Sequence, residues 1–221
     1  MFFESLLPQE IVIMEAFIKS KVREISGIFY KESENGLIPK IEVPYLVRFF
    51  LQFPSQTQVV DEIIPEIEKL EADVDKSADM VQIEAFEKLL INMIKTNLYP
   101  NYEKEVLTEC FKFLDTEKKG FLDLHTYYTF IKSYGVSFSK KQIEEMEDFL
   151  KENETDFFEP LKIDKDSGQK KKHNQYTTRN FYYESYIRKV VLDNKKHYDE
   201  MREEFRIFME AFKETLKQNK I

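Results

Sequence analysis

The sequence predicts an all-α protein of two lobes, each pairing two helix–loop–helix units, with a long helix at the C-terminus. Three observations carry this. Apolar residues recur at helical spacing along the chain of 221 residues, which has only five glycines against 33% charged and 42% apolar residues. A polar loop after Leu114 has glycine at its sixth place (Gly120) and an aliphatic residue at its eighth (Leu122). The same signature stands 84 residues earlier: Gly36, Ile38, Val47, Arg48, Phe50, Ser55, Gln58 and Val59 match Gly120, Leu122, Ile131, Lys132, Tyr134, Ser139, Gln142 and Ile143 without a gap. A repeat of that length implies a duplicated supersecondary unit.

Taken in order, Pro8 suits the first turn of a helix running to about Tyr30, with Ile11, Met14, Phe17, Ile18, Val22, Ile25 and Phe29 as its apolar stripe. After a loop from Lys31 to Glu42, a second helix runs from Val43 to Phe53, with Pro44 tolerated in its first turn. Ser55 and Gln58 form a capping box that starts a third helix, in which Pro65 is expected to cause a kink. The alternation Met80-Val81-Gln82-Ile83 places Val81 at the eighth position of a second loop; a helix over 83–96 follows, then a connector, Asn97 to Asn101. The second half begins at Tyr102, and Ser139 with Gln142 caps a helix reaching about Glu152. A polar insert over about 153–180 reads as a flexible excursion or a contact arm. Pairing Phe86 with Tyr186 then puts Phe181 at the eighth and Ser185 at the twelfth place of the fourth loop. The division expected is 1–97, 98–192 with the inserted loop, and 193–221 as a helical extension.

Helix, twelve-residue loop, helix is the plan of an EF-hand. A calcium loop needs oxygen side chains at positions 1, 3 and 5 and a bidentate Glu at 12. Counting from Asp115, Glu117 and Asp123 fill positions 3 and 9, but position 5 is Lys119 and position 12 is Thr126. An ammonium repels a cation, and one neutral hydroxyl cannot replace a carboxylate. The first loop keeps Glu42 at position 12 yet has Lys31 at position 1 and Ser33 at position 3. The second has Ala85 at position 12; Asp73, Asp75 and Asp79 could gather a cation only loosely. No metal site is therefore expected; Asp115, Glu117, Asp123 and Glu42 are remnants, while Gly120 and Leu122 serve the turn and the pairing of loops. No cofactor is expected either.

The C-terminal helix shows Ile187, Val191, Asn194, Tyr198, Met201, Phe205, Phe208 and Phe212 spaced 4, 3, 4, 3, 4, 3, 4, flanked by Glu203, Arg206, Glu210 and Lys213. It could fold back on its own lobes or run outward as a docking helix. The outward reading is favoured, because the lobes have cores already and phenylalanines on a seam want an apolar cover. Ile187, Val191, Tyr198, Met201, Phe205, Phe208 and Phe212 are then the partner-binding residues. A net charge of -8 argues against nucleic acid, and no apolar run approaches the roughly 20 residues of a membrane span. No signal peptide is expected. The single Cys110, expected on the buried face of its helix, excludes an internal disulfide framework and fits a reducing compartment. Catalysis has no visible support: His125, His173 and His197 are isolated, there is no glycine-rich phosphate loop, and Cys110 lacks a base. The basic run Lys170 to His173 reads as a solvated loop or a contact with an acidic surface such as tubulin.

The third hand, Phe111 through Met146, and the first, Gly36 through Ile63, are similar to the calmodulin superfamily, so the fold implied is calmodulin-like, two lobes of paired degenerate EF-hands plus a long C-terminal helix. The degenerate loops, the segment Asp115-Thr-Glu-Lys-Lys-Gly-Phe-Leu122 and the run Tyr183-Glu-Ser-Tyr-Ile-Arg188 resemble, over about residues 10–192, the eighth, EF-hand subunits of the nexin–dynein regulatory complex of motile cilia. That resemblance implies a non-enzymatic structural subunit in the cytoplasm, on the axoneme of a cilium or flagellum. Its partners would be other coiled-coil or helical subunits of the complex, held constitutively without calcium. A calcium-responsive calmodulin-like regulator and a motor light chain are the alternatives.

Overall fold

In the computed structural model, which describes residues 7–29, 33, 35–72, 76–133, 140–158 and 179–218, the chain is mostly helical and divides into two units. The first comprises Met1–Asn101 with Lys195–Ile221, the second Tyr102–Asn194.

In the first unit, α1 (Pro8–Phe29) buries Ile13, Met14, Phe17, Ile18, Val22 and Ile25, which recur every three or four residues and so share a face. Gly36 takes the left-handed φ of +73° that leads into β1 (Leu37–Pro39). β1 pairs antiparallel with β2 (Met80–Gln82), and Ile38 stands opposite Val81, the eighth-place residue of each loop. α2 (Val43–Phe49) has Pro44 in its first turn and stops short of the expected Phe53. Leu51 adopts φ +59°, its N–H donates to Arg48 O at 2.9 Å, and the Gln52 N–H reaches Val47 O at 3.2 Å. This is a Schellman ending with leucine at the place glycine or asparagine usually fills, so no residue type announces it.

The capping box of α3 (Gln56–Gln58) is formed as expected, with the Gln58 N–H donating to Ser55 Oγ at 3.2 Å and the Ser55 N–H to Gln58 Oε1 at 2.9 Å. A π turn, Val59–Ile63, then leads into α4 (Ile64–Leu70). Pro65 has no N–H for the carbonyl four residues back, and its ring crowds that carbonyl. The wider turn, with the Ile64 N–H on Val59 O, relieves the conflict. α5 (Ile83–Thr96) ends at Asn97, φ +48°. The connector is tied back to the unit: Phe53 N–H donates to Tyr99 O at 2.8 Å, and Tyr99 N–H to the buried Gln52 Oε1 at 3.2 Å.

In the second unit, α6 (Lys104–Leu114) leads through the loop to β3 (Leu122–Asp123) and α7 (Leu124–Ser133), followed by α8 (Lys140–Glu152) and the short α9 (Glu154–Phe157). β3 pairs antiparallel with β4 (Asn180–Phe181), with Leu122 opposite Phe181, again the two eighth places. The insert was expected to be a polar excursion or contact arm, but its first residues belong to the core. Phe157 and Phe158 are buried, Phe158 bridges to Phe181, and the Tyr182 N–H donates to Phe157 O at 2.8 Å. Two aromatic residues side by side find apolar cover more cheaply in the core than in water. Residues 159–178 of the insert, with Lys170 to His173, lie outside the described residues, as does the Ser139 cap.

α10 (Tyr183–Gln218) is one continuous helix whose residues to Asn194 count with the second unit and from Lys195 with the first. The helical extension expected over 193–221 is thus, in its described residues, the continuation of α10, and from Lys195 it belongs to the first unit. The apolar seam finds its cover within the chain's own cores.

Candidate functional site

The loop starting at Asp115 shows what became of the ion position. The Asp115 carboxylate is buried and accepts the N–H of Lys119 at 2.9 Å, the N–H of Gly120 at 2.7 Å and the hydroxyl of Tyr183 at 3.1 Å. Gly120, at φ +79°, gives the turn that aims its amide inward. Burial pushes this carboxyl up, but the Lys119 and Gly120 amides, the Tyr183 hydroxyl and the Lys119 charge together hold it below its ordinary value. Tyr183 is pushed up by its own burial and then by Asp115. The lone pairs a cation would use are thus engaged by protein donors.

The other remnants are occupied too. Glu117 pairs with Lys119 on the loop surface. Asp123 accepts the N–H of His125 at 2.9 Å and the N–H and hydroxyl of Thr126, so it caps the start of α7. Glu42 lies in the first unit, in the other loop. In the second loop Asp73 and Asp75 fall outside the described residues; Lys76 lies there with its ammonium on Met80 O at 2.7 Å and Glu71 at 3.0 Å. Among the described residues no group of three or more His, Cys, Asp or Glu could hold a metal ion. A calcium ion does not fit the donor set of the loop that starts at Asp115.

The seven residues expected to bind a partner are not a free surface. Ile187 is buried in the second unit's core and Val191 packs on it. Tyr198 is half-buried. Met201 and Phe205 are buried in the first unit's core, with Phe208 and Phe212 packed against it. The outward reading of this helix is corrected accordingly: its phenylalanines are covered by the first unit, and the apolar area removed from water there favours the docked position.

Among the described residues, an exposed apolar stripe lies on α6. α6 is apolar on two sides. Leu107, Phe111 and Leu114 face the second unit's core, where Phe111 stacks on Tyr183 at 5.4 Å and on Tyr127 at 5.9 Å. Val106, Cys110 and Phe113, spaced 4 and 3, form the other side. Cys110 was expected to be buried; it is exposed, because the core takes the stripe one residue further on. Phe113 is 81% exposed and Val106 46%. With Phe130 and Ile131 of α7, these residues line a groove of about 720 Å³ whose charged members are Glu105 and Glu109, both acidic. Its size is that of a ligand cleft. Sequence reasoning missed it, although the signal was present: a helix with two apolar stripes and one core to pack on leaves one stripe over.

No protein-family model matches the chain, and no curated protein matches its sequence. Among solved structures the chain is similar to Mlc1p bound to IQ4 of Myo2p, a class V myosin, at 14% identity over 77% of this chain and 97% of that one, with a TM-score of 0.29.

Proposed function

We propose that the chain is a non-enzymatic, calmodulin-like adaptor: two lobes of paired degenerate EF-hands, one of which holds a helical partner constitutively, without calcium. The observation that carries this is the groove of about 720 Å³ on the second unit, with Phe113 81% exposed at its mouth. An apolar trough with acidic members suits an amphipathic helix that presents a bulky apolar residue beside basic ones. The engaged Asp115 carboxylate, Lys119 and Thr126 support operation without an ion switch. On the resemblance of the degenerate loops and the Tyr183–Arg188 run, the partner belongs to the nexin–dynein regulatory complex, and the adaptor supports regulation of dynein-driven motility on the ciliary axoneme.

The test is affinity capture by the whole chain from axonemal and from actomyosin extracts, in calcium and in chelator, beside the variant Phe113→Asp. Recovery of helical regulatory-complex subunits from axonemes alone, equal in both buffers and lost in the variant, is expected. Capture of a myosin heavy chain would transfer the chain to the motor light chains. Stoichiometric micromolar calcium uptake with a change of capture would make it a calcium-responsive regulator.

A further inference from the structure

The first unit has a counterpart of that groove, and it is closed. Leu46 and Val47 are the repeat partners of Phe130 and Ile131, and they are 2% and 0% exposed, whereas Phe130 and Ile131 are half-buried. What the first unit has in addition is the last part of α10. Met201 and Phe205 enter its core, and Phe17 of α1 takes the rings of Phe205 and Phe208 edge-on, each at 5.5 Å between centroids. Polar fasteners accompany the seam. His197 donates from Nε2 to Phe49 O at 2.7 Å, at the end of α2, and its ring meets the Phe49 ring at 4.7 Å. Lys21 pairs with Glu204 at 2.8 Å, and Lys213 with Glu10 at 3.4 Å. Bulky residues at 201, 205, 208 and 212, spaced 4, 3 and 4, are what a helix lying in a trough between two other helices needs.

We infer that residues 195–218 are the first unit's own ligand, an intramolecular helix seated where, on the reading proposed above, an external helix sits in the second unit. The chain is then an adaptor with one open socket. The closed socket accepts a competing helix only when the tail leaves, and the competitor it accepts carries bulky apolar residues at the same spacing. A tail docked in about 99% of molecules lowers the apparent affinity of such a competitor about a hundredfold.

The test uses the full-length chain and a labelled synthetic peptide of residues 195–218. Phe113→Asp silences the open groove, and Phe208→Asp with Phe212→Asp loosens the tail at two half-buried positions that leave Met201 and Phe205 in place. The peptide should bind the chain with the loosened tail about a hundredfold more tightly than the chain carrying Phe113→Asp alone, with amide shifts falling on α1 and α2. Equal affinity for the two chains overturns the inference. On the unaltered chain, hydrogen exchange supplies a second reading: amides of 198–212 should exchange far more slowly than those of the free peptide, and equal rates also overturn it. Neither failure touches the open groove, whose role stands or falls with Phe113 in the unaltered chain.

Discussion

Replacing Phe205 with alanine asks how firmly the C-terminal helix is held. The side chain is 4% exposed and its ring meets Phe17 at 5.5 Å and 63°. Truncating a buried phenylalanine costs about 3–5 kcal/mol, of which about 0.5–1.5 kcal/mol belongs to the aromatic pair. The helix has a way out that a central core residue lacks, since it can leave the first unit while the rest of that unit stays folded. The loss in global stability is therefore bounded by the free energy of docking the segment, and part of the effect appears as local opening. Urea denaturation followed by far-ultraviolet circular dichroism gives the first quantity. Hydrogen exchange over 198–212 gives the second, where a loss of about 3 kcal/mol means exchange faster by a factor on the order of 100. Phe212→Ala, at a half-buried position near the helix end, should cost less by both measures. A loss below about 1 kcal/mol in Phe205→Ala, with exchange over 198–212 unchanged, would refute the anchoring role of this ring.

Other perturbations separate the two units. Phe113→Ser should leave stability within about 0.5 kcal/mol of the parent, because the ring is 81% exposed, while partner capture is lost; a substantial loss of melting temperature would mean the ring is packed. Asp115 bears on acid stability. Its folded value is held below the unfolded one, so its ionised form stabilises the fold above about pH 4, and that contribution disappears as pH falls through the folded value. Asp115→Asn should flatten the acid limb of a denaturation-versus-pH profile; an unchanged limb would show that the Lys119, Gly120 and Tyr183 hydrogen bonds carry nothing. Ser55→Ala removes the capping box of α3 and should cost about 1 kcal/mol in urea denaturation, an effect that absence of any shift would disprove. Gly120→Ala meets no atom within 4 Å but must hold φ +79°, so its cost of about 1–2 kcal/mol is backbone strain alone; a neutral result in the same assay would count against it.

The sequence by itself determined what depends on local chemistry and on the repeat. Gly36 and Gly120 fix the left-handed turns of their loops, and Ile38, Val81, Leu122 and Phe181 carry the pairing of loops, because a β register follows from the place of the apolar residue after each turn. The capping box at Ser55 and the end of α5 at Asn97 were equally legible, being side-chain and backbone preferences of single residues. The tertiary structure decided which apolar stripes are covered and by what. Cys110 reads as core from its place on the helix, and the seam from Met201 to Phe212 reads as surface seeking a partner; the reverse holds. Periodicity reports that a face is apolar, but burial depends on how many other faces compete to cover it. Here α1 and α2 offered the C-terminal helix a seat, and nothing among the described residues covers the outer stripe of α6.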